Sequence, residues 1–198
     1  MIEFSVSNGL PFDLNVPCGN FLGETPLHAA CSKGHYDIVE FLLNQGIRNI
    51  DINFLNNSGT TALSAACYNG HQNIVQLILD HSLRNHIDIN IPNNDGWTPL
   101  HYACFYGENH IVKLLLQHQL DTNNLDWNNQ DNIGRTVLHD ACQKGHIQVV
   151  QTLLNFAIKN DCQLNVNIKD NDGNTPIQIA TQAEIIEMLS MYSTINCT

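Results

Sequence analysis

The chain has 198 residues, of which 43% are hydrophobic and 14% charged, enough apolar material for a packed core and too little charge for a disordered chain. The formal net charge of −11 opposes any general affinity for nucleic acid or an anionic membrane surface, because both require a basic protein surface. The sequence has no secretory signal pattern and no apolar run of about 18 residues, so we expect a cytoplasmic protein that does not insert into membranes.

A recurring phrase divides the chain into units. Its opening glycines are Gly23, Gly59, Gly96, Gly134 and Gly173. The steps between them are 36, 37, 38 and 39 residues, so each interval is one residue longer than the last. The predicted segments are an N-terminal stretch at 1–22, four repeats at 23–58, 59–95, 96–133 and 134–172, and a truncated unit at 173–198.

Each unit begins with a predicted short helix. In the first unit Thr25 suits the N-cap and Pro26 the first turn, while Gly34 suits the end of the helix. Ala30 and Cys31 lie on the predicted inner face, where small side chains let neighbouring units approach closely.

A second helix follows, with larger apolar residues at helical spacing, such as Val39 and Leu42 in the first unit. An Asp-x-Asn or Asn-x-Asn segment then closes each of the four full units and predicts a turn or hairpin tip. The chain contains 27 asparagines, concentrated in these connections, and we attribute them to the turns that this side chain tolerates.

The growing interval lies between the second helix and the closing segment. Four residues beyond the last leucine stands another apolar residue, which helical spacing predicts on the buried face: Ile47, Leu83, Leu120 and Ile158. The second helix should therefore run on by about one turn, with a graded lengthening of the helix and its loop. Arg48, Arg84 and Lys159 follow, and they form either ordinary solvated helix ends or a second candidate contact edge.

The segments TPLHAAC at Thr25 and TPLHYAC at Thr98 resemble the ankyrin repeat signature, and the resemblance extends over roughly residues 13–192. It implies an all-α solenoid of stacked helix–turn–helix units with β-hairpin-like tips. The truncated last unit is expected to cap the C-terminal end. Residues 1–12 are either a covering segment or a worn repeat.

Two columns of residues resemble reactive sites. Cys31, Cys67, Cys104 and Cys142 recur at one position, but units about 10 Å apart are too distant for disulfides or a converging zinc site, so we predict buried small side chains. The resemblance assigns structural hydrogen bonds to the recurring histidines, which are His28, His35, His71, His101, His139 and His146. With no catalytic motif present, we expect no enzyme activity, no metal and no cofactor.

The resemblance implies a protein-binding module or scaffold, monomeric by itself, that contacts another protein through a concave face of tips and first helices. Alternatives are an inhibitor or targeting subunit of an enzyme, and a structural segment of a larger protein. The predicted contact residues are Tyr68, Trp97, Tyr102, Phe105, Tyr106, Asp140 and Lys144. The aromatic residues either anchor a partner or, Tyr102 especially, pack against neighbouring helices. Trp127 is predicted to pack beneath its tip.

Overall fold

The computed structural model describes residues 13–19, 21–44, 50–85, 87–122 and 126–195. Within these ranges the chain forms ten helices and no strand, so the all-α prediction is confirmed and the tips are tight turns. In chain order they are α1 (Pro26–Lys33), α2 (Tyr36–Asn44), α3 (Ala62–Tyr68), α4 (Gln72–Asn85), α5 (Pro99–Tyr106), α6 (Asn109–Asp121), α7 (Val137–Lys144), α8 (Ile147–Asn160), α9 (Pro176–Ile179) and α10 (Ala183–Ile195).

The helices pack in two rows. The first helices of the units, α1, α3, α5, α7 and α9, contact one another in succession, and the second helices, α2, α4, α6, α8 and α10, do the same. One continuous apolar core lies between the rows, with Leu63, Leu100, Leu115, Leu138 and Leu153 each no more than 1% exposed. No helix among the described residues combines the length and apolar character needed to cross a membrane.

Three of the first helices begin with a hydrogen bond between a threonine and a histidine. In α5 the Thr98 backbone N–H donates to Nδ1 of His101 at 3.2 Å, and Nε2 of the same ring lies 3.4 Å from the carbonyl oxygen of Arg135 in the next unit. His28 and His139 make the corresponding contacts in α1 and α7. Burial lowers the pKa of all three rings, so each remains neutral and joins its helix start to the following tip.

Two further histidines and the four cysteines of the repeated column also have the structural roles that were predicted. His71 and His146 reach the carbonyl oxygens of Ser32 and Phe105 in the preceding units, at 3.3 and 2.9 Å. The four cysteines of the repeated column are buried and unpaired, and burial raises the pKa of each thiol, that of Cys142 to about 12. These thiols therefore pack as small protonated side chains.

Asparagines link the tips of successive units. The backbone N–H groups of Asn57, Asn94, Asn132 and Asn171 donate to carbonyl oxygens of the preceding tip at 2.9–3.0 Å. Their side-chain amides donate to a second carbonyl of that tip at 2.8–3.1 Å. We call these four residues the asparagine ladder. Asparagine therefore does more than tolerate the turns, because it fixes the spacing between units.

The second helices extend beyond their last core leucine, as predicted. Helices α4, α6 and α8 have 14, 13 and 14 residues, whereas α2 is described as far as Asn44. The extension is nearly constant in the three later units, so the predicted grading of the helix is wrong. The remaining growth lies in the connections that follow.

The predicted burial of the fourth residue past that leucine is wrong. Ile158 is 54% exposed and Leu120 is half-buried, whereas the preceding residues Ala157 and Gln119 are only 2% and 1% exposed. The third position, rather than the fourth, continues the inward stripe because one turn takes 3.6 residues. Ile47 and the side chain of Leu83 lie outside the described residues.

The array ends in a shortened unit. Helix α9 has only four residues, and α10 packs on α8 with Ile185, Leu189 and Tyr192 buried. This unit covers one side of α8, and its role as a cap stays a prediction. Residues 1–12 lie outside the described part of the chain.

Candidate protein-binding face

Five aromatic side chains from two neighbouring units form one continuous cluster, the aromatic face. Its members are Tyr68, Trp97, Tyr102, Phe105 and Tyr106. The closest ring centroids are 4.8 Å apart for Trp97 and Phe105 and 4.9 Å for Tyr68 and Tyr106. The rings meet edge to face or tilted, as aromatic pairs prefer.

Helical spacing explains why the cluster forms. Tyr102, Phe105 and Tyr106 lie at i, i+3 and i+4 on α5, and therefore share one side of that helix. Tyr68 ends α3, the adjacent helix of the first row, and Trp97 lies in the tip just before α5. Stacking of the units brings all five together, although the sequence separates Tyr68 from Tyr106 by a whole repeat.

The five residues differ in accessibility. Tyr68 and Tyr106 are 48% and 42% exposed, while Trp97, Tyr102 and Phe105 are half-buried. Tyr102 also packs against the core, and its hydroxyl accepts a hydrogen bond from the Asn93 amide at 2.9 Å. Tyr102 thus fits the packing alternative, and Tyr68 and Tyr106 are the most exposed members of the cluster.

Trp97 is held in place by the tip that precedes α7. Its indole N–H donates to Oδ2 of Asp131 at 3.0 Å. The other oxygen of Asp131 accepts the backbone N–H groups of Ile133 and Arg135 at 3.0 and 2.8 Å. The indole is therefore pre-positioned, which limits the entropy that it would lose on binding.

Lys144 reaches the aromatic face from the last turn of α7. Its ammonium nitrogen lies 4.1 Å from the ring centroid of Phe105, a cation–π distance. Lys144 is itself exposed. A cation therefore already occupies part of the predicted site.

The prediction that Asp140 lies on the exposed surface is wrong. It is 1% exposed, and neither carboxyl oxygen has a hydrogen-bond partner. The equivalent residues Ala29, Ala65 and Tyr102 are half-buried, so stacking covers this column, and in the fourth unit it covers the side chain completely. A pattern of exposed and core positions taken from α7 alone could not show that coverage.

The surroundings of Asp140 oppose its ionisation. Burial is the main cause that raises the pKa of its carboxyl to about 8, and Asp131 adds to it, while Arg135 and Lys144 act in the opposite direction. The Arg135 guanidinium is already engaged, because Nη1 donates to Gln143 at 2.7 Å and Nε lies 3.7 Å from Asp170. Asp140 therefore lacks a paired cation.

The second candidate edge is only partly described. Arg48 and the side chain of Arg84 lie outside the described residues, although the backbone of Arg84 belongs to the last turn of α4. Lys159 is exposed and lines an open groove of about 640 Å³ between α6 and α8, together with Lys113 and His110. Whether the three predicted residues form one surface stays a prediction.

The described residues contain no cluster of three or more His, Cys, Asp or Glu side chains able to hold a metal ion.

Trp127, as predicted, packs beneath its tip: it is 2% exposed, and its indole N–H donates to the Gln163 carbonyl at 3.2 Å. It therefore contributes to the core and lies outside the candidate face.

Comparison with known families gives one result. The model for ankyrin repeats (3 copies) matches residues 2–93, 47–126, 81–161 and 120–198, so the overlapping matches cover nearly the whole chain. No curated protein matches the sequence.

Proposed function

The chain belongs to the ankyrin repeat family, whose members are generally protein–protein interaction modules, and we propose that it is a non-catalytic scaffold that binds a partner protein through the aromatic face. The observation that carries this proposal is the cluster of five contacting rings on two central units. Trp and Tyr are typical binding anchors, because they bury a large area and lose little conformational freedom.

The rigidity of the array supports this function. Trp97 is fixed by Asp131, and His101 joins the start of α5 to the carbonyl of Arg135. These bonds tie the start of α5 and its tip to the tip before α7, so the partner meets a preformed surface. A preformed surface gains affinity because fewer side chains must be ordered on binding.

A non-catalytic role agrees with the state of the reactive side chains. His28, His101 and His139 are committed to helix starts and tips, and the buried thiol of Cys142 has a raised pKa. Neither group offers an activated nucleophile next to a base. The six cysteines of the described residues are all free, and with this pattern we propose an intracellular, reducing setting.

Replacing Trp97, Phe105 and Tyr106 together by alanine should reduce partner recovery to below about a tenth, because the change removes the central anchors. The measurement is capture from the native lysate on the immobilised chain, with quantitative mass spectrometry. A matched control replaces Phe21, Ile158 and Met191 by alanine, since these exposed apolar residues lie outside the aromatic face. Circular dichroism verifies that both variants fold. Undiminished recovery by the aromatic-face variant would exclude this surface as the site.

A further inference from the structure

The cation over Phe105 belongs to the chain itself. Lys144 lies 4.1 Å from the ring centroid, at the edge of the aromatic face. Its side chain is exposed, and no hydrogen bond or ion pair is found for it among the described contacts. Such a weak contact can be exchanged readily for a cation supplied by another molecule.

Two carboxyl groups lie near this position. Asp140, one turn before Lys144 on α7, has two buried oxygens without hydrogen-bond partners. Asp131 lies close enough to Asp140 to oppose its ionisation, and the chain as a whole carries a net charge of −11. The net charge of the chain favours a positively charged ligand.

We infer that the aromatic face binds a basic segment of its partner, and that an arginine or lysine side chain of this segment replaces Lys144 on the Phe105 ring. The inference rests on the proposed function and specifies the chemistry of the partner. The net charge of −11 repels an acidic segment, and a purely apolar segment would supply no cation to the Phe105 ring.

Asp140 gives the interaction a pH signature. Its carboxyl is largely protonated below about pH 8, and an arriving cation favours the ionised form, so binding releases a proton. The affinity for an arginine ligand should then rise with pH up to about 8. The charged groups that act on Asp140 are Asp131, Arg135 and Lys144, and the Cys104 and Cys142 thiols lie close by but stay protonated in this range.

Lys144 and Lys33 form a matched pair for the test. Each is an exposed lysine in the last turn of the first helix of its unit, but only Lys144 contacts an aromatic ring in the described structure. The probe is a rhodamine-labelled Gly-Arg-Gly-Arg-Gly-Arg peptide, with Gln in place of Arg as comparator. Its binding to the full chain is measured by fluorescence anisotropy in about 0.15 M salt.

Lys144→Ala should bind the arginine peptide about threefold more tightly than the unmodified chain, whereas Lys33→Ala should change the affinity by much less. Phe105→Leu should weaken binding about threefold, and the rise in affinity between about pH 6.5 and pH 8 should disappear in Asp140→Asn. Equal effects of Lys144→Ala and Lys33→Ala would show that net charge alone acts, and weaker binding by Lys144→Ala would show that Lys144 does not compete with the ligand. Either result would overturn the inference.

The two proposals fail separately. If the alanine triple variant loses its lysate partner but the two lysine variants bind the arginine peptide equally, the protein-binding function stands and the basic-segment inference is wrong. If the triple variant retains its partner, the aromatic face is not the binding site, whatever the peptide does.

Discussion

Replacing Asp140 by asparagine should change the free energy of unfolding by about 5 kcal/mol more favourably near pH 8 than near pH 4. The carboxyl is 1% exposed, neither oxygen accepts a hydrogen bond, and burial raises its pKa to about 8. Asparagine has nearly the same shape and carries no charge. The substitution therefore removes the cost of ionising a buried acid and adds only an amide with unmet hydrogen bonds.

The direction of this change in the free energy of unfolding follows from the number of protons that the folded and unfolded chains bind. In the unfolded chain Asp140 loses its proton near its ordinary pKa of 3.8, whereas the folded chain holds it to about 8. Between these values the folded state binds more protons, so its stability falls as pH rises, by up to about 1.4 kcal/mol for each pH unit. The stability contribution of protonated Asp140 is complete below about pH 4 and is lost by about pH 8.

Urea unfolding followed by circular dichroism at several pH values measures this effect as the difference between the unmodified chain and Asp140→Asn. Asp95→Asn is the matched control, because Asp95 is an exposed carboxylate in the tip before α5. We expect a difference that grows from about pH 4 to pH 8 for Asp140 and stays near zero for Asp95. A constant difference at all pH values would mean that Asp140 is ionised in the folded chain.

The helices and the core could be predicted from the sequence because their signals are local. Thr98 and Pro99 mark the start of α5, and the column of small residues that includes Ala103 and Cys104 becomes the fully buried inner face. Contacts between units could not be predicted in the same way. Asp140 belongs to a half-buried column, and only the packing of the neighbouring unit decides that its oxygens receive no partner.

The candidate site was partly predictable. The resemblance to the ankyrin repeat implies that Trp97, Phe105 and Tyr106 share one face, and the structure does bring their rings together. No local sequence pattern indicates that Asp131 supports Trp97. The same holds for the contact of Lys144 with Phe105, because each contact joins residues more than thirty positions apart. Their role in binding a partner stays a prediction.

The hydrogen bonds of the asparagine ladder are a further feature that the sequence alone could not predict. From composition, asparagine indicates a turn. In the structure, Asn132 also donates its backbone N–H to the Asp95 carbonyl at 3.0 Å and its side-chain amide to the Asn94 carbonyl at 2.8 Å. These bonds connect units rather than residues within one turn. They become visible only when two tips are placed side by side.

Replacing Gly96 by alanine should lower the free energy of unfolding by about 3 kcal/mol, because it strains the backbone and disrupts the asparagine ladder. Gly96 has φ +85°, and a Cβ added there would lie 2.8 Å from the Asn132 nitrogen and 2.8 Å from the Asp131 Cα. Both are backbone atoms that cannot rotate away. The nitrogen is the donor to Asp95, so the new methyl group would push apart the bond that joins the third and fourth tips.

Gly173 separates the two causes. It has φ +84°, nearly the same as Gly96, but an added Cβ would meet no atom within 4 Å. Gly173→Ala should therefore cost only the left-handed strain, about 1 kcal/mol. Urea unfolding of both variants measures the difference, which we attribute to contact between neighbouring tips. If Gly173→Ala were as costly as Gly96→Ala, backbone strain alone would explain both, and the close approach of the tips would contribute nothing to the stability of the array.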